Sequence, residues 1–203
     1  TCPYPNPEIR EAMQLGLDRL KELDGDILIA TDPDADRVGI AVKENDDYVL
    51  ISGNQVGILL TDYIAKTRKE LGLMPENPVM VKSIVSSSLA DEVAKSYGVE
   101  MKNVLTGFKY IGEQIALLEA KGEENRFILG FEESYGYLSG TYARDKDAVV
   151  ASMLIVEMAA FYAKQGKTLP AQKGLLTAEI GCRKVKGGTI SCLSSIPLLN
   201  VSP

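Results

Sequence analysis

The sequence predicts an α/β protein with a mixed, mostly parallel sheet covered by helices, preceded by part of a second, similar α/β unit. Two observations lead to this prediction. Short apolar runs alternate with longer segments whose apolar residues recur at helical spacing. Most of the short runs are apolar almost throughout, as in "VMVKSIV" and "RFILGFE", which is typical of parallel strands buried on both faces.

The first unit should begin with a helix over "NPEIREAMQLGLDRLKEL". Asn6 is a candidate N-cap, and Pro7 suits the first turn. The apolar residues that predict a buried stripe are Ile9, Ala12, Met13, Leu17, Leu20 and Leu23. Three strands should follow, "DILIA", "VGIAV" and "YVLIS", with an aspartate-rich loop between the first two and the turn "ENDD" before the third.

The second unit should begin after a boundary near residues 45 to 54 and repeat strands and helices in turn. Its predicted helices and strands are, in order, "GNQVGILLTDYIAKTRKELG", "VMVKSIV", "SSLADEVAKSYG", "VEMKNVL", "GFKYIGEQIALLEAKG", "RFILGFE" and "KDAVVASMLIVEMAAFYAKQG". We therefore expect domains over residues 1–48 and 49–169. Residues 170–203 have weak periodicity, which predicts an atypical, poorly ordered tail.

Composition excludes several function classes. The 203 residues are 45% hydrophobic and 25% charged, as in soluble globular proteins. A net charge of −6 argues against nucleic-acid binding. No apolar run reaches the ~18 residues of a membrane span, and the start "TCPYPNPE" lacks the pattern of a signal peptide. The three cysteines form no spaced framework, which favours a reducing cytoplasmic setting.

The chain has no histidine. Imidazole acid–base chemistry and histidine-ligated zinc are therefore excluded within these 203 residues. Proton transfer would have to use Lys, Asp, Glu or Tyr.

The stretch "ATDPDADRVGIAV" places Asp32, Asp34 and Asp36 on alternate positions, with Arg37 directly after them. Two like charges ~4 Å apart repel by about 4 kcal/mol at the effective dielectric near a protein surface, so the loop needs a positive partner. Oxygen ligands at this spacing suit a hard cation such as Mg²⁺. An EF-hand is excluded, because Arg37 and Lys43 stand where that loop needs Gly and Glu.

Two other interpretations of the aspartate loop stay open at this point. Asp32 could be the nucleophile of an aspartyl phosphatase, or the loop could be a polar turn with solvated aspartates. Arg37 fits a phosphate bound close to the metal, and it could equally be a counter-charge for the aspartates.

Several motifs together identify a family. "TDPDADR" and "GFEESYG", with "GNQ", "TGFKYIGE" and "RDKDAV" in the expected order, resemble the α-D-phosphohexomutases, the phosphoglucomutase and phosphomannomutase superfamily. The resemblance covers roughly residues 3 to 170 and is strongest to the phosphoglucomutase-like branch. It implies four domains around one cleft, Mg²⁺ as cofactor, and transfer between a phosphoserine and a hexose phosphate through a bisphosphate.

The resemblance also implies roles for individual residues. Asp32, Asp34 and Asp36 would hold Mg²⁺. The implied catalytic residues are Arg37, Lys109 and Lys82. The implied substrate-binding residues are Glu132, Ser134, Gly107, Arg144 and Lys146. Taken alone, Lys109 could be a solvated first-turn lysine and Arg144 part of a charged turn, and the serines at 86–88 most simply cap a helix.

The chain lacks two of the family's motifs, the serine loop of the type Thr-Ala-Ser-His-Asn-Pro and the C-terminal phosphate-binding loop. We therefore expect a central fragment of a phosphoglucomutase that is inactive alone. Its partners should be glucose 1-phosphate, glucose 6-phosphate and glucose 1,6-bisphosphate. The alternative is a non-catalytic module that binds metal and phosphosugar. An unpaired sheet edge would favour self-association.

Overall fold

The computed structural model describes residue 2 and residues 4–186. Its first unit is one helix and an antiparallel sheet in the order β1-β2-β3. The elements are α1 (Arg10–Glu22), β1 (Ile27–Thr31), β2 (Val38–Glu44) and β3 (Asp47–Ile51). All three strands are antiparallel, so this unit is not similar in topology to the sheet that follows it.

Helix α1 begins at Arg10, later than its sequence predicts. Asn6 does not cap it: its side-chain oxygen accepts the Glu8 N–H at 3.0 Å and closes a turn before the helix, while Ile9 is extended at the N-cap position. The helix ends before Leu23, so Ile9 and Leu23 both lie outside the stripe and are exposed. The buried residues that pack α1 on the sheet are Met13, Leu17 and Leu20, against Ala41 and Tyr48.

The second unit has a four-stranded sheet in the order β5-β4-β6-β7. β4 is parallel to β5 and β6, and β7 is antiparallel to β6, which confirms the mixed, mostly parallel sheet. The elements are α2 (Gly53–Glu70), β4 (Val79–Ser83), α3 (Leu89–Ser96), β5 (Glu100–Val104), α4 (Phe108–Glu119), β6 (Phe127–Phe131), β7 (Tyr137–Leu138), α5 (Ala148–Ala163) and α6 (Leu169–Lys186). β7 has only two residues and was not expected.

Helices cover both faces of this sheet. Val79 and Val81 of β4 pack with Phe108 and Ile111 at the start of α4. The alternate residue Met80 belongs to the larger core cluster, as the two-residue period of a strand requires. The members that join the two units in that cluster are Val38, Ile40, Val42 and Ile51 from the first sheet and Ala151, Ile155 and Met158 from α5.

The predicted boundary between residues 48 and 49 falls inside β3, which is paired with β2. The domain limits themselves stay a prediction. The prediction of an irregular tail from residue 170 is wrong over its first part, where the chain forms α6. Residues 187–203 lie outside the described part of the chain.

Helix α6 is held by its contacts with the core. Leu169 and Leu176 are buried in it. The buried Asp62 of α2 accepts hydrogen bonds from the Tyr162 hydroxyl at 2.5 Å and from Gln172 Nε2 at 3.2 Å. A buried carboxylate with these donors fastens α6 and α5 to α2.

Within the described residues, none of the helices has the length and apolar character needed to cross a membrane.

Candidate functional site

The aspartate loop connects β1 to β2 and is folded around the carboxylate of Asp32. Asp32 Oδ1 accepts the backbone N–H groups of Asp36 at 3.1 Å and Arg37 at 3.0 Å. Its Oδ2 accepts Arg37 Nε at 2.8 Å. Ala35 makes the reversal in a left-handed conformation, with φ of 56°. The loop is thus held by hydrogen bonds between its own residues, and Asp32 is 4% exposed.

These contacts move the pKa values of neighbouring carboxyl groups in opposite directions. Burial raises the pKa of Asp32, but the hydrogen bonds from Arg37 and Asp36 outweigh it, and the net pKa is lowered. The pKa of Asp36 is raised, first by burial and then by the neighbouring Asp32, although Lys146 opposes the shift. Asp32 is therefore the residue of this pair that holds a negative charge most readily.

The three aspartates can serve a metal. One carboxylate oxygen from each of Asp32, Asp34 and Asp36 lies within 4.8 Å of the other two. Hard oxygen ligands at an accessible loop are the donor set that Mg²⁺ takes, with water or phosphate in the remaining positions. The donors that are present therefore fit the predicted cation.

The second predicted loop, residues 130–136, lies directly against the aspartate loop. The Val38 N–H donates to Tyr135 O at 3.1 Å, and Arg37 and Gly136 form an antiparallel bridge. Tyr135 turns the chain with a φ of 68°. The two motifs, nearly a hundred residues apart in sequence, thus form one continuous backbone surface.

Glu132 and Glu133 point to different partners. Glu132 is 5% exposed, and its Oε1 accepts the Gly107 N–H at 2.7 Å. Burial raises the pKa of Glu132, against the opposing hydrogen bond from Gly107. Glu133 Oε2 instead accepts the Ser83 hydroxyl at 2.6 Å and lies 3.3 Å from the Ser86 hydroxyl. Glu133 thereby fixes the loop to the end of β4.

An open cleft of about 680 Å³ lies beside the aspartate loop. Its lining residues are Ala35, Lys109, Gly112, Glu113, Ala116, Ala143, Arg144, Asp145, Lys146 and Asp147. The lining has three cationic side chains and three anionic ones, Glu113, Asp145 and Asp147, so individual lysine and arginine side chains, not the net charge of the cleft, are the candidate ligands of an anion.

The cations of the cleft have distinct contacts. Lys146 Nζ lies 2.9 Å from Asp36 Oδ2 and 3.0 Å from Asp145 Oδ1. Lys109 Nζ lies 4.8 Å from the ring centroid of Tyr110. Arg144 forms an ion pair with Glu119. Lys146 is thus the cation that connects the cleft to the aspartate loop.

Lys82 is buried and has other partners. Its side chain is 2% exposed, and its ammonium lies 3.1 Å from Asp91 Oδ2 and 3.1 Å from the carbonyl oxygen of Ser86. Burial of the ammonium with a carboxylate is a structural arrangement. The assignment of Lys82 to the catalytic residues stays a prediction.

The structure also places residues at the site that sequence reasoning missed. Glu8 Oε1 lies 3.5 Å from Arg37 Nη1, and nothing in the sequence around Glu8 indicates this contact. Asp145 pairs with Lys146, and the alternating charges of "RDKD" were the signal for it. Of the serines expected to cap α3, Ser87 does accept the Leu89 N–H at 3.2 Å, whereas Ser86 bonds Glu133 and Ser88 makes no side-chain cap bond.

Two models of known protein families match this chain. The family model described as "Phosphoglucomutase/phosphomannomutase, alpha/beta/alpha domain III" matches residues 52–177. The domain II model of the same family matches residues 1–45. The chain belongs to the phosphoglucomutase/phosphomannomutase family. This confirms the resemblance to the α-D-phosphohexomutases.

Individual relatives agree. A phosphoglucomutase of Staphylococcus epidermidis is 39% identical over 177 residues, covering 87% of this chain and 31% of the relative. A Staphylococcus aureus phosphoglucomutase is 41% identical over 165 residues, covering 81% of this chain and 29% of the relative. A Mycoplasmoides pirum phosphomannomutase is 38% identical over 156 residues, covering 77% of this chain and 27% of the relative. The chain thus spans less than a third of these relatives' length.

Solved structures support the fold. A Thermus thermophilus protein named as a phosphomannomutase superimposes with a TM-score of 0.65 at 28% identity, over 87% of this chain and 36% of that one. A phosphoglucomutase/phosphomannomutase family protein from Burkholderia thailandensis has a TM-score of 0.62 at 20% identity, over 86% of this chain and 33% of that one. The second likeness shows the fold alone.

Proposed function

We propose that this chain is the central part of a Mg²⁺-dependent phosphoglucomutase, which interconverts hexose 1-phosphate and 6-phosphate through a phosphoserine and a bisphosphate intermediate. One observation carries the proposal. The bridge between Arg37 and Gly136 brings the aspartate loop against the loop of Glu132, and Lys146 connects the aspartate loop to the cleft that Lys109 and Arg144 also line. The residues proposed to bind metal, sugar and phosphate thereby adjoin one another.

Each group has a physical role in this proposal. Asp32, Asp34 and Asp36 would hold Mg²⁺, which neutralises charge on a phosphoryl group during transfer. Glu132 and Ser134 would bind sugar hydroxyls. A carboxylate can accept from two neighbouring hydroxyls, and a serine hydroxyl can donate or accept, which suits a sugar that must bind in two orientations.

The cationic side chains would bind the phosphate groups. Arg37 offers a guanidinium next to the metal ligands, held by Asp32. Lys109, Lys146 and Arg144 line the cleft, and Gly107 holds Glu132 in place through its N–H group. Within these 203 residues, which contain no histidine, proton transfer would fall to Lys, Asp, Glu or Tyr.

The same proposal predicts that the isolated chain does not turn over substrate, since it lacks the family's serine loop. The chain would still bind metal and phosphosugar. A phosphatase that uses Asp32 as nucleophile is the weaker alternative, because the family models that match the chain are those of phosphoglucomutases and phosphomannomutases.

Titration calorimetry of glucose 6-phosphate into the 203-residue chain with Mg²⁺ tests the binding part of the proposal. We expect saturable binding that weakens when Mg²⁺ is chelated and that free glucose does not reproduce. Mannose 6-phosphate in the same experiment would compare the two candidate sugars. Heat of dilution alone at millimolar glucose 6-phosphate would contradict the proposed site.

A further inference from the structure

One of the three candidate metal ligands already carries a cation from the protein itself. The ammonium of Lys146 lies 2.9 Å from Asp36 Oδ2 and 3.0 Å from Asp145 Oδ1, and its side chain is 17% exposed. Asp36 belongs to the aspartate loop, and Asp145 lines the cleft. The ammonium of Lys146 therefore stands between the two.

The stem of Lys146 packs against the backbone of the loop of Glu132. A Cβ built on Gly136 would lie 2.2 Å from Lys146 Cδ, so the stem passes closely over the backbone of Gly136. The ammonium is 5.6 Å from the ring centroid of Phe108. The Ala148 N–H donates to Ala35 O at 3.0 Å and ties this segment to the aspartate loop. Rotation about the last side-chain bonds of Lys146 would move its ammonium while leaving the stem in contact with Gly136.

A divalent cation and this ammonium would compete for Asp36, because two like charges within a few ångströms repel strongly where water is partly excluded. We propose that Lys146 is a counter-ion of the aspartate loop that a divalent cation displaces from Asp36, turning its ammonium towards the cleft beside Lys109 and Arg144. The inference rests on the proposed metal site. It makes Lys146 a positioning residue that couples the cation to anion binding in the cleft, and the coupling is reciprocal.

Magnesium affinity of the 203-residue chain, measured by calorimetry at fixed ionic strength, tests the displacement. Lys146→Met removes the competing charge and should tighten Mg²⁺ binding by about tenfold. Lys146→Arg keeps a cation at Asp36 and should stay within about twofold of the parent chain. Lys109→Met makes the same charge change in the same cleft without an ion pair to Asp36, and screening should limit its effect to about twofold.

A second measurement follows Lys146 directly. The ¹³Cε signal of Lys146, assigned by its absence in Lys146→Arg, should shift on addition of Mg²⁺ to the parent chain and stay unchanged in Asp34→Asn. This readout does not depend on the folding of Lys146→Met.

Equal Mg²⁺ affinity in Lys146→Met and the parent chain, or an unmoved Lys146 signal at saturating Mg²⁺, would overturn the displacement while leaving the metal site intact. Equal tightening by Lys109→Met would overturn it too, because a general field effect would explain both variants. An absence of Mg²⁺ binding in the parent chain and in all variants would overturn both the displacement and the proposed metal site.

Discussion

Replacement of Glu132 by Gln separates binding from folding at the centre of the site. Gln keeps the shape of the side chain, and its amide oxygen can accept the Gly107 N–H that Glu132 Oε1 accepts at 2.7 Å. What is lost is the negative charge. Hydrogen bonds to charged groups contribute about 1.5–3 kcal/mol, so weakening one or two sugar contacts should lower glucose 6-phosphate affinity by roughly 10- to 100-fold.

The effect of Glu132→Gln on folding should have the opposite sign. Burial raises the pKa of Glu132 above its ordinary 4.5. A raised folded pKa gives stability that is present below the ordinary pKa and is lost as pH rises through the folded pKa. The free energy of unfolding of the variant, relative to the parent, should therefore rise with pH across that window and stay level above it.

Calorimetry with glucose 6-phosphate and urea unfolding at pH 4 to 8 measure the two effects of Glu132→Gln. Glu113→Gln is the control, since Glu113 lines the cleft beside the aspartate loop and loses the same charge. Unchanged affinity in Glu132→Gln, or equal weakening in both variants, would refute the assignment of Glu132 to the sugar. A loss of affinity that parallels a loss of stability at pH 7 would refute the reasoning from burial.

Other changes test the packing that holds the site. Asp62→Ala should lower the free energy of unfolding in urea by about 2–4 kcal/mol, because the buried hydroxyl and amide donors lose their acceptor; a change below about 0.5 kcal/mol would contradict this. Gly53→Ala places a Cβ 2.0 Å from the backbone oxygen of Glu133 and should lower the free energy of unfolding, measured by thermal unfolding, by about 1–3 kcal/mol. The Cβ of Gly174→Ala in α6 meets nothing within 4 Å, so this variant should be more stable than the parent chain by up to about 1 kcal/mol. Equal effects of the two would be inconsistent with the close approach. Asp32→Asn should destabilise the metal-free chain most at neutral pH. Because the pKa of Asp32 is lowered in the fold, the difference in free energy of unfolding between the parent chain and Asp32→Asn should shrink as pH falls through the folded pKa. A difference in stability that does not depend on pH would argue against a charged Asp32.

Local patterns predicted most of the helices and strands of the second unit, since apolar spacing fixes a helix or a strand within a short window. The antiparallel arrangement of the first sheet was also open to prediction from its short connections, which cannot accommodate a crossover between parallel strands. β7 could not be predicted from the sequence, because two residues are too few to show the alternation of a strand. They form a strand only by pairing with β6. Helix α6 contains Pro170 and Gly174, and its docking depends on the distant Asp62.

The parts of the site that lie within one short motif could be predicted from the sequence. Contacts between residues that are distant in sequence could not. Alternate aspartates in one loop converge because the loop turns through Ala35. The burial of Lys82 beside Asp91 depends on where the fold places α3 relative to the end of β4, which no local pattern encodes. The bond from Ser83 to Glu133 likewise joins residues fifty positions apart.

We propose that the aspartate loop, the loop of Glu132 and the adjoining cleft form one site for a divalent cation and a phosphosugar. Backbone amide NMR during titration with Mg²⁺, followed by glucose 6-phosphate, tests it most directly, with Asp34→Asn as control. We expect Mg²⁺ to shift residues 31–38 and glucose 6-phosphate to shift residues 107–109, 130–136 and 144–148, with the first set of shifts lost in Asp34→Asn. Shifts that are absent at millimolar Mg²⁺ and sugar phosphate, or that lie elsewhere on the chain, would contradict the claim.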